Sequence, residues 1–209
     1  MKNYTEKELA VLNKQLKGVS PSEIIHWAIA DKERPVVSTN FRPYEATVLH
    51  ACVQIEPDIK VIWCDTGYNT PQTYKHANAL IDILNLNVKL YNPEQTAAYR
   101  DAIMGGIPQL DSPEFDEFSK QVKLEPFQRA MKEQKPDVWF TNLRQGQTTF
   151  RDSIDILSYS KDGVLKVSPF YHWSDQELDV YLEENKLPNE FEYFDPTKVL
   201  SNRECGLHS

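Results

Sequence analysis

Apolar residues along this chain fall into short unbroken runs separated by amphipathic stretches. The runs "PVVST", "KVIWCDT", "NVKLY" and "DVWFTN" are each four to seven residues rich in Val, Ile and aromatic side chains. They do not alternate apolar with polar positions, which is the pattern of strands buried on both faces. Between the runs the period is helical. In "TPQTYKHANALIDILN", Tyr74, Ala77, Ile81 and Leu84 fall on one face, predicting a helix with that face against the sheet. Helix starts are marked by three capping boxes, Thr5–Glu8, Ser20–Glu23 (with Pro21 at the first helical position) and Ser174–Glu177. Strand, helix, strand, helix, strand predicts βαβ units: an α/β fold with a mostly parallel sheet and helices on both faces. "LSYSKDGVLKVSP" breaks the rhythm, and its Asp162-Gly163 pair predicts a hairpin or an edge extension. From Leu187 onward element signals are few, and the chain reads as an ordered-to-mobile tail.

Composition narrows the class. The 209 residues, 40% hydrophobic and 26% charged, fit one globular domain. The N-terminal stretch carries charges throughout and no apolar core, so no signal peptide is read there, and no stretch approaches a membrane span. Three cysteines, Cys52, Cys64 and Cys205, form no CxxC pair and no disulfide framework, which points to a reducing, cytoplasmic setting. A net charge of −8 disfavours nucleic acid as a partner, while leaving room for a small anion held by local arginines. No His/Cys spacing suits a metal.

In an open α/β sheet, ligands sit beyond the carboxyl ends of the strands. Three segments fall there. "STNFRPYE" places Ser38, Thr39 and Asn40 between a strand and a helix. On these residues alone it is either a phosphate-holding turn or an ordinary capped βα turn. "CDTGYNTP" puts Asp65, Thr66 and Gly67 before the Thr70-Pro71 helix start, and again a well-made turn explains it equally. "NLRQGQTTFR" carries Arg144 and Arg151, whose guanidinium forks match phosphate or sulfate oxygens. Upstream, "KLEPFQRAMKEQ" adds Lys123 and Arg129, either solvated or facing the same ligand. His172, beside Phe170 and Trp173, reads as a packed residue, and Cys52 and Cys64 as core residues. Cys205 stands apart in the terminal "ECGLH", where it is either an idle tail residue or a nucleophile on an arm.

Together, and in this order, "STNF", "DTGYNTPQTY", "KLEPFQRAMKEQKPDVWFTNLRQGQTTFR" and "ECGLH" resemble the phosphoadenylyl-sulfate (PAPS) reductase family of assimilatory sulfate reduction. The similarity runs from about Pro35 to Ser209. It implies the adenine nucleotide alpha hydrolase-like fold, in a single domain over 1–209 with 188–209 as a mobile C-terminal catalytic tail. It implies Cys205 as the nucleophile that takes up the sulfonyl group as an S-sulfocysteine, with reduced thioredoxin or glutaredoxin then releasing sulfite. Arg203 and His208 are local cations that would favour the thiolate. Glu204 would oppose them, so its role would be structural or directed at the partner. Ser38, Thr39 and Asn40 would form the nucleotide-phosphate loop, and Asp65, Thr66 and Gly67 the turn near adenine and ribose. Arg144, Arg151 and Lys123 would grip the phosphosulfate.

The chain departs from the family pattern at Arg42-Pro43, where small residues are usual, and in a shortened stretch before "ECGLH". Relatives that reduce adenylyl sulfate (APS) hold an iron–sulfur cluster through two cysteine pairs. Here Phe118-Ser119 stands in place of the first pair and the second is missing, so no cluster and no other bound cofactor is expected. PAPS is therefore the expected substrate, with a cluster-free APS reductase as the alternative. An ATP pyrophosphatase-like nucleotide-binding relative is the other reading of the fold, though the chain lacks that group's glycine-rich loop. Oligomeric state is not written in the sequence, and a homodimer is compatible with it.

Overall fold

The computed structural model describes residues 4–198. Its centre is a six-stranded sheet in the order β3-β2-β1-β4-β6-β5. The strands are β1 (Pro35–Thr39), β2 (Lys60–Cys64), β3 (Asn87–Tyr91), β4 (Val138–Phe140), β5 (Leu157–Tyr159) and β6 (Leu165–Val167). The pairs β1–β2, β2–β3, β1–β4 and β4–β6 are parallel, and β5–β6 is antiparallel. The Asp162-Gly163 expectation holds, with Gly163 at φ +76° in the hairpin turn, a conformation glycine takes without a Cβ penalty.

The unbroken apolar runs of β1, β2 and β4 are explained by burial on both faces, whereas β3 is a half-exposed edge strand with only Tyr91 buried and Leu90 exposed, because no strand covers its outer side. Along β1, β2 and β4, Val37, Val61, Trp63, Val138 and Phe140 enter one core, and Val36, Ile62, Cys64 and Trp139 enter the other. Burying each such side chain stabilises the fold by roughly 1.5–3 kcal/mol. The larger core is closed by α2 (Pro21–Ile29), α3 (Glu45–Ile55), α4 (Pro71–Leu84) and α9 (Asp175–Glu184). The smaller is closed by α7 (Glu125–Gln134), whose Phe127 ring packs tilted against Trp139 with centroids 4.9 Å apart. All three predicted capping boxes form, at Thr5, Ser20 and Ser174. The helix 71–84 also forms, and of the predicted face Ala77 is buried and Ile81 and Leu84 pack half-buried against the core, joined by Thr73, His76 and Leu80. Tyr74 lies at the rim instead because its hydroxyl reaches the Asp65 carboxylate at 2.9 Å.

The helix α1 (Glu6–Leu16) guards a sheet edge. Asn13 donates from Nδ2 to the Leu157 carbonyl (3.0 Å) and accepts at Oδ1 from the Leu157 amide (2.8 Å), so its side chain pairs with β5 as a strand would. Among the described residues, no helix is long and apolar enough to cross a membrane. Residues 188–198 contain no helix or strand, yet they are tied to the sheet end by the bonds described below.

Candidate active site at the sheet end

Strand order reverses between β1 and β4, because β1 continues to β2 on one side while β4 leads to β6 on the other. This is the switch point where α/β sheets open a crevice for ligands. The loops after both strands meet there. Arg42 donates from Nη2 to the Asn142 carbonyl (3.0 Å), and Asn142 donates from Nδ2 to the Tyr44 carbonyl (3.1 Å). The loop after β1 has no glycine, and the left-handed turns fall on Phe41 (φ +53°) and Tyr44 (φ +67°). Such conformations cost about 1–3 kcal/mol each at non-glycine residues, and they persist where the surroundings impose them. Here the tight turn is secured by Glu45. Its buried carboxylate accepts from Thr39 Oγ1 (2.7 Å), Asn40 N (2.7 Å) and Arg42 Nε (2.8 Å). Arg42, where the family usually has a small residue, is thus matched by a carboxylate from its own loop.

Ser38 accepts from the Trp139 indole at 2.8 Å, which joins β1 to β4. After β2, Asp65 accepts from the Gly67 amide (2.9 Å), Asn69 Nδ2 (2.8 Å) and the Tyr74 hydroxyl, while Thr66 accepts from the Tyr68 amide (3.2 Å). Gly67 sits at φ +81°. Burial and the Asp65 charge together push the Tyr74 hydroxyl up to about 12.

Both arginines after β4 are buried. Arg144 pairs with Asp175 at 2.5 Å, and its guanidinium lies over the Tyr44 ring at 5.2 Å. Its Nε is buried without a partner among the described residues, as is Oδ1 of Asn142. Arg151, in the short helix α8 (Thr149–Asp152), donates to Gln147 Oε1, which also accepts from the Arg144 amide at 3.2 Å. One glutamine side chain therefore couples the two arginines.

Lys123 lies in a single π-helical turn (Lys120–Leu124) between α6 (Glu114–Ser119) and α7. Such turns recur at functional sites because they redirect a side chain within a helix. Lys123 is buried and paired with Asp195, and its Nζ is 3.4 Å from Thr197 Oγ1. Burial acts to raise the pKa of Asp195, but the Lys123 charge and the hydrogen bonds from Lys123 and Thr197 outweigh it and hold the carboxyl below its ordinary value. The same segment is fastened elsewhere. Tyr44 N donates to Asn189 Oδ1 (2.8 Å), and the Thr70 and Thr73 hydroxyls donate to the Glu192 carbonyl (2.9 and 3.1 Å). Residues 189–198 thus form a strap across the loops after β1 and β2.

Other expectations resolve differently. Arg129 is a structural residue, forked onto Glu125 (2.8 and 3.1 Å) and donating to the Asn92 carbonyl. His172 is partly exposed rather than packed in the core, and bridges Gln145 and Asp155 at 3.2 Å each. Cys52 and Cys64 are buried core thiols, and burial pushes Cys64 up to about 12. Phe118 fills the position of the first cluster-ligand pair, fully buried against Phe115 and Tyr68. Among the described residues, no group of three or more His, Cys, Asp or Glu could hold a metal ion. Arg203, Glu204, Cys205 and His208 lie outside the described residues. Sequence reasoning missed Glu45, Gln147, Asp175 and Asp195. Glu45 had a local signal in its spacing of three from Arg42, and Gln147 in its spacing of three and four from Arg144 and Arg151, whereas Asp175 and Asp195 had none.

Comparison with known proteins agrees with this geometry. A family model described as "Phosphoadenosine phosphosulfate reductase domain" matches residues 34–193. The phosphoadenosine 5'-phosphosulfate reductase of Xylella fastidiosa (strain 9a5c) is 33% identical over 182 residues, covering 87% of this chain and 76% of that protein. The enzyme of the same name from Vibrio parahaemolyticus is 35% identical over 180 residues, covering 86% and 69%. In fold, the chain matches the crystal structure of a PAPS reductase from Candida auris in a phosphate complex, with a TM-score of 0.78 over 90% of each chain at 23% identity. A more distant match is the U34-tRNA thiolase NcsA from Methanococcus maripaludis, with a TM-score of 0.57 over 90% of this chain and 69% of that one, at 10% identity. With relatives of this identity along most of its length and the matching sheet beneath them, the chain belongs to the phosphoadenosine phosphosulfate reductase family.

Proposed function

We propose that the protein reduces 3'-phosphoadenylyl sulfate to sulfite and adenosine 3',5'-bisphosphate, with reduced thioredoxin or glutaredoxin as electron donor. The observation that carries this reading is the set of buried cations Lys123, Arg144 and Arg151 beside the switch point of a chain whose net charge is −8. Two guanidinium forks and an ammonium gathered at one sheet end match a ligand with several anionic oxygens. The Arg144 Nε and Asn142 Oδ1, both without partners, leave a donor and an acceptor for it.

In the proposed reaction the Cys205 thiolate attacks the sulfur of the bound phosphosulfate. A sulfur–sulfur bond forms and the bond from sulfur to the phosphate oxygen breaks, with its electron pair leaving on the nucleotide. Arg144, Arg151 and Lys123 hold the oxygens on which negative charge accumulates. A thiolate of the reduced donor then attacks Sγ of the S-sulfocysteine. Sulfite departs with the bonding pair, and the donor's second thiol resolves the mixed disulfide, so the donor ends oxidised and Cys205 ends reduced. Cys52 and Cys64 are unsuited to the first step, since burial raises the pKa of both thiols.

The test is turnover of PAPS and APS side by side with thioredoxin and glutaredoxin, followed by mass spectrometry of enzyme mixed with substrate and no donor. PAPS is expected to be the better substrate, and one sulfonate is expected on the peptide containing Cys205. Cys205→Ser should abolish sulfite release and leave nucleotide binding nearly intact. An adduct on Cys52 or Cys64 would overturn the assignment of the nucleophile, and a clear excess of APS turnover would overturn that of the substrate.

A further inference from the structure

The cations at the sheet end are matched by carboxylates of the chain itself: Glu45 on Arg42, Asp175 on Arg144 and Asp195 on Lys123. The last pair differs from the others. Glu45 opens α3 three residues from its arginine, and Asp175 opens α9. Asp195 belongs to no helix or strand and reaches Lys123 from the strap. Both side chains are buried, at 3% and 7% relative exposure. The carboxylate accepts at Oδ1 from the Thr197 amide (3.0 Å) and hydroxyl (2.7 Å), which turns the chain so that Oδ2 meets Lys123. The other strap anchors, at Asn189 and Glu192, are uncharged hydrogen bonds at the rim. The buried ion pair of the strap therefore sits on a cation that the sulfonucleotide reading assigns to the substrate.

We propose that Asp195 is a positioning residue: it occupies Lys123 in the nucleotide-free protein, and the substrate's phosphosulfate displaces it, releasing strap 189–198. Lys123 is paired in both states, so neither leaves a bare buried ammonium, whose cost makes this an exchange rather than an opening. Cys205 follows Asp195 by ten positions in the sequence. Nucleotide occupancy thereby controls the segment from which the nucleophile is delivered. When the product nucleotide leaves, Asp195 returns to Lys123 and draws the strap back.

The inference builds on the sulfonucleotide reading, and the experiment separates the two. Amide hydrogen exchange over 189–198 is measured in wild-type protein with and without saturating adenosine 3',5'-bisphosphate, and again with inorganic pyrophosphate. Exchange is expected to quicken with either anion. Asp195→Asn should exchange quickly without any anion and bind the nucleotide about tenfold more tightly, since its internal competitor is gone. Asp195→Glu should restore wild-type behaviour, and in Lys123→Gln neither anion should alter exchange. Slower or unchanged strap exchange in nucleotide-bound wild type overturns the proposal, and that measurement needs no variant to fold. Equal or weaker nucleotide binding by folded Asp195→Asn overturns it too. Sulfite release with an unmoved strap would sink the exchange and leave the reaction standing. Strap release without turnover of either sulfonucleotide would leave the exchange standing and sink the reaction. Wild-type protein that binds neither probe overturns both.

Discussion

Arg144 and Arg151 are held by different partners, Asp175 and Gln147 respectively. Arg144 keeps Nε without a partner while Asp175 takes Nη1 and the Tyr44 ring supports the plane. A lysine at this position retains the charge but loses both the fork and the stacking plane. Arg144→Lys is therefore expected to lower kcat/KM for the sulfonucleotide about tenfold or more, the scale of one charge-assisted hydrogen bond at about 1.5–3 kcal/mol. Arg151→Ala should lose at least as much, because Gln147 then keeps only the Arg144 amide. Steady-state kinetics with the melting temperature of each variant measured alongside decide the matter. Full activity in both would return the loop to a structural role.

At the scale of elements, the strap is fastened through the buried Lys123–Asp195 ion pair, so its fastening carries a pH signature. The folded pKa of Asp195 lies below its ordinary value, because Lys123 and Thr197 overcome the effect of burial. A depressed carboxyl contributes stability in full above its unfolded value, about 3.9. That contribution is lost as pH falls through the lower folded value. Strap protection in the nucleotide-free protein is expected to be flat from pH 5 to neutrality and to fail only below about pH 4. The stability difference between wild type and Asp195→Asn should shrink over the same acid range. Hydrogen exchange and urea titrations from pH 7 to 3 measure both, and a difference that persists unchanged at pH 3 contradicts the pairing described here.

For the whole molecule, the antiparallel β5 edge is sealed by a side chain from the opposite end of the chain. Asn13 supplies both a donor and an acceptor to Leu157. Asn13→Ala leaves the Leu157 amide and carbonyl without those partners, at an expected cost of about 1–3 kcal/mol. Asn13→Asp keeps the acceptor alone and should fall between. Urea midpoints with unchanged m-values would report this as stability, while a rise in association of the Ala variant would report the exposed edge.

Much of this was already present in local chemistry. Capping boxes at Thr5, Ser20 and Ser174 depend on residues three apart, and strand runs buried on both faces need no partner to be recognised. The Asp162-Gly163 hairpin likewise follows from glycine's freedom at positive φ. That the polar loops carrying Ser38, Asp65, Arg144 and Arg151 lie beyond β1, β2 and β4 was legible from the order of strand runs, while the burial of the two arginines was not. The outward place of Tyr74 was not, because its hydroxyl found Asp65 in another element. Nor were the carboxylates that match the cations. Asp195 lies 72 positions from Lys123 and Asp175 lies 31 from Arg144, a difference read directly from their numbers. Which segments become strands and helices, and which loops carry charge, follow from periodicity and capping, since these act within a few residues. Which carboxylate meets which cation follows only from the assembled fold, because a buried charge selects its partner by proximity in space and not by distance along the chain.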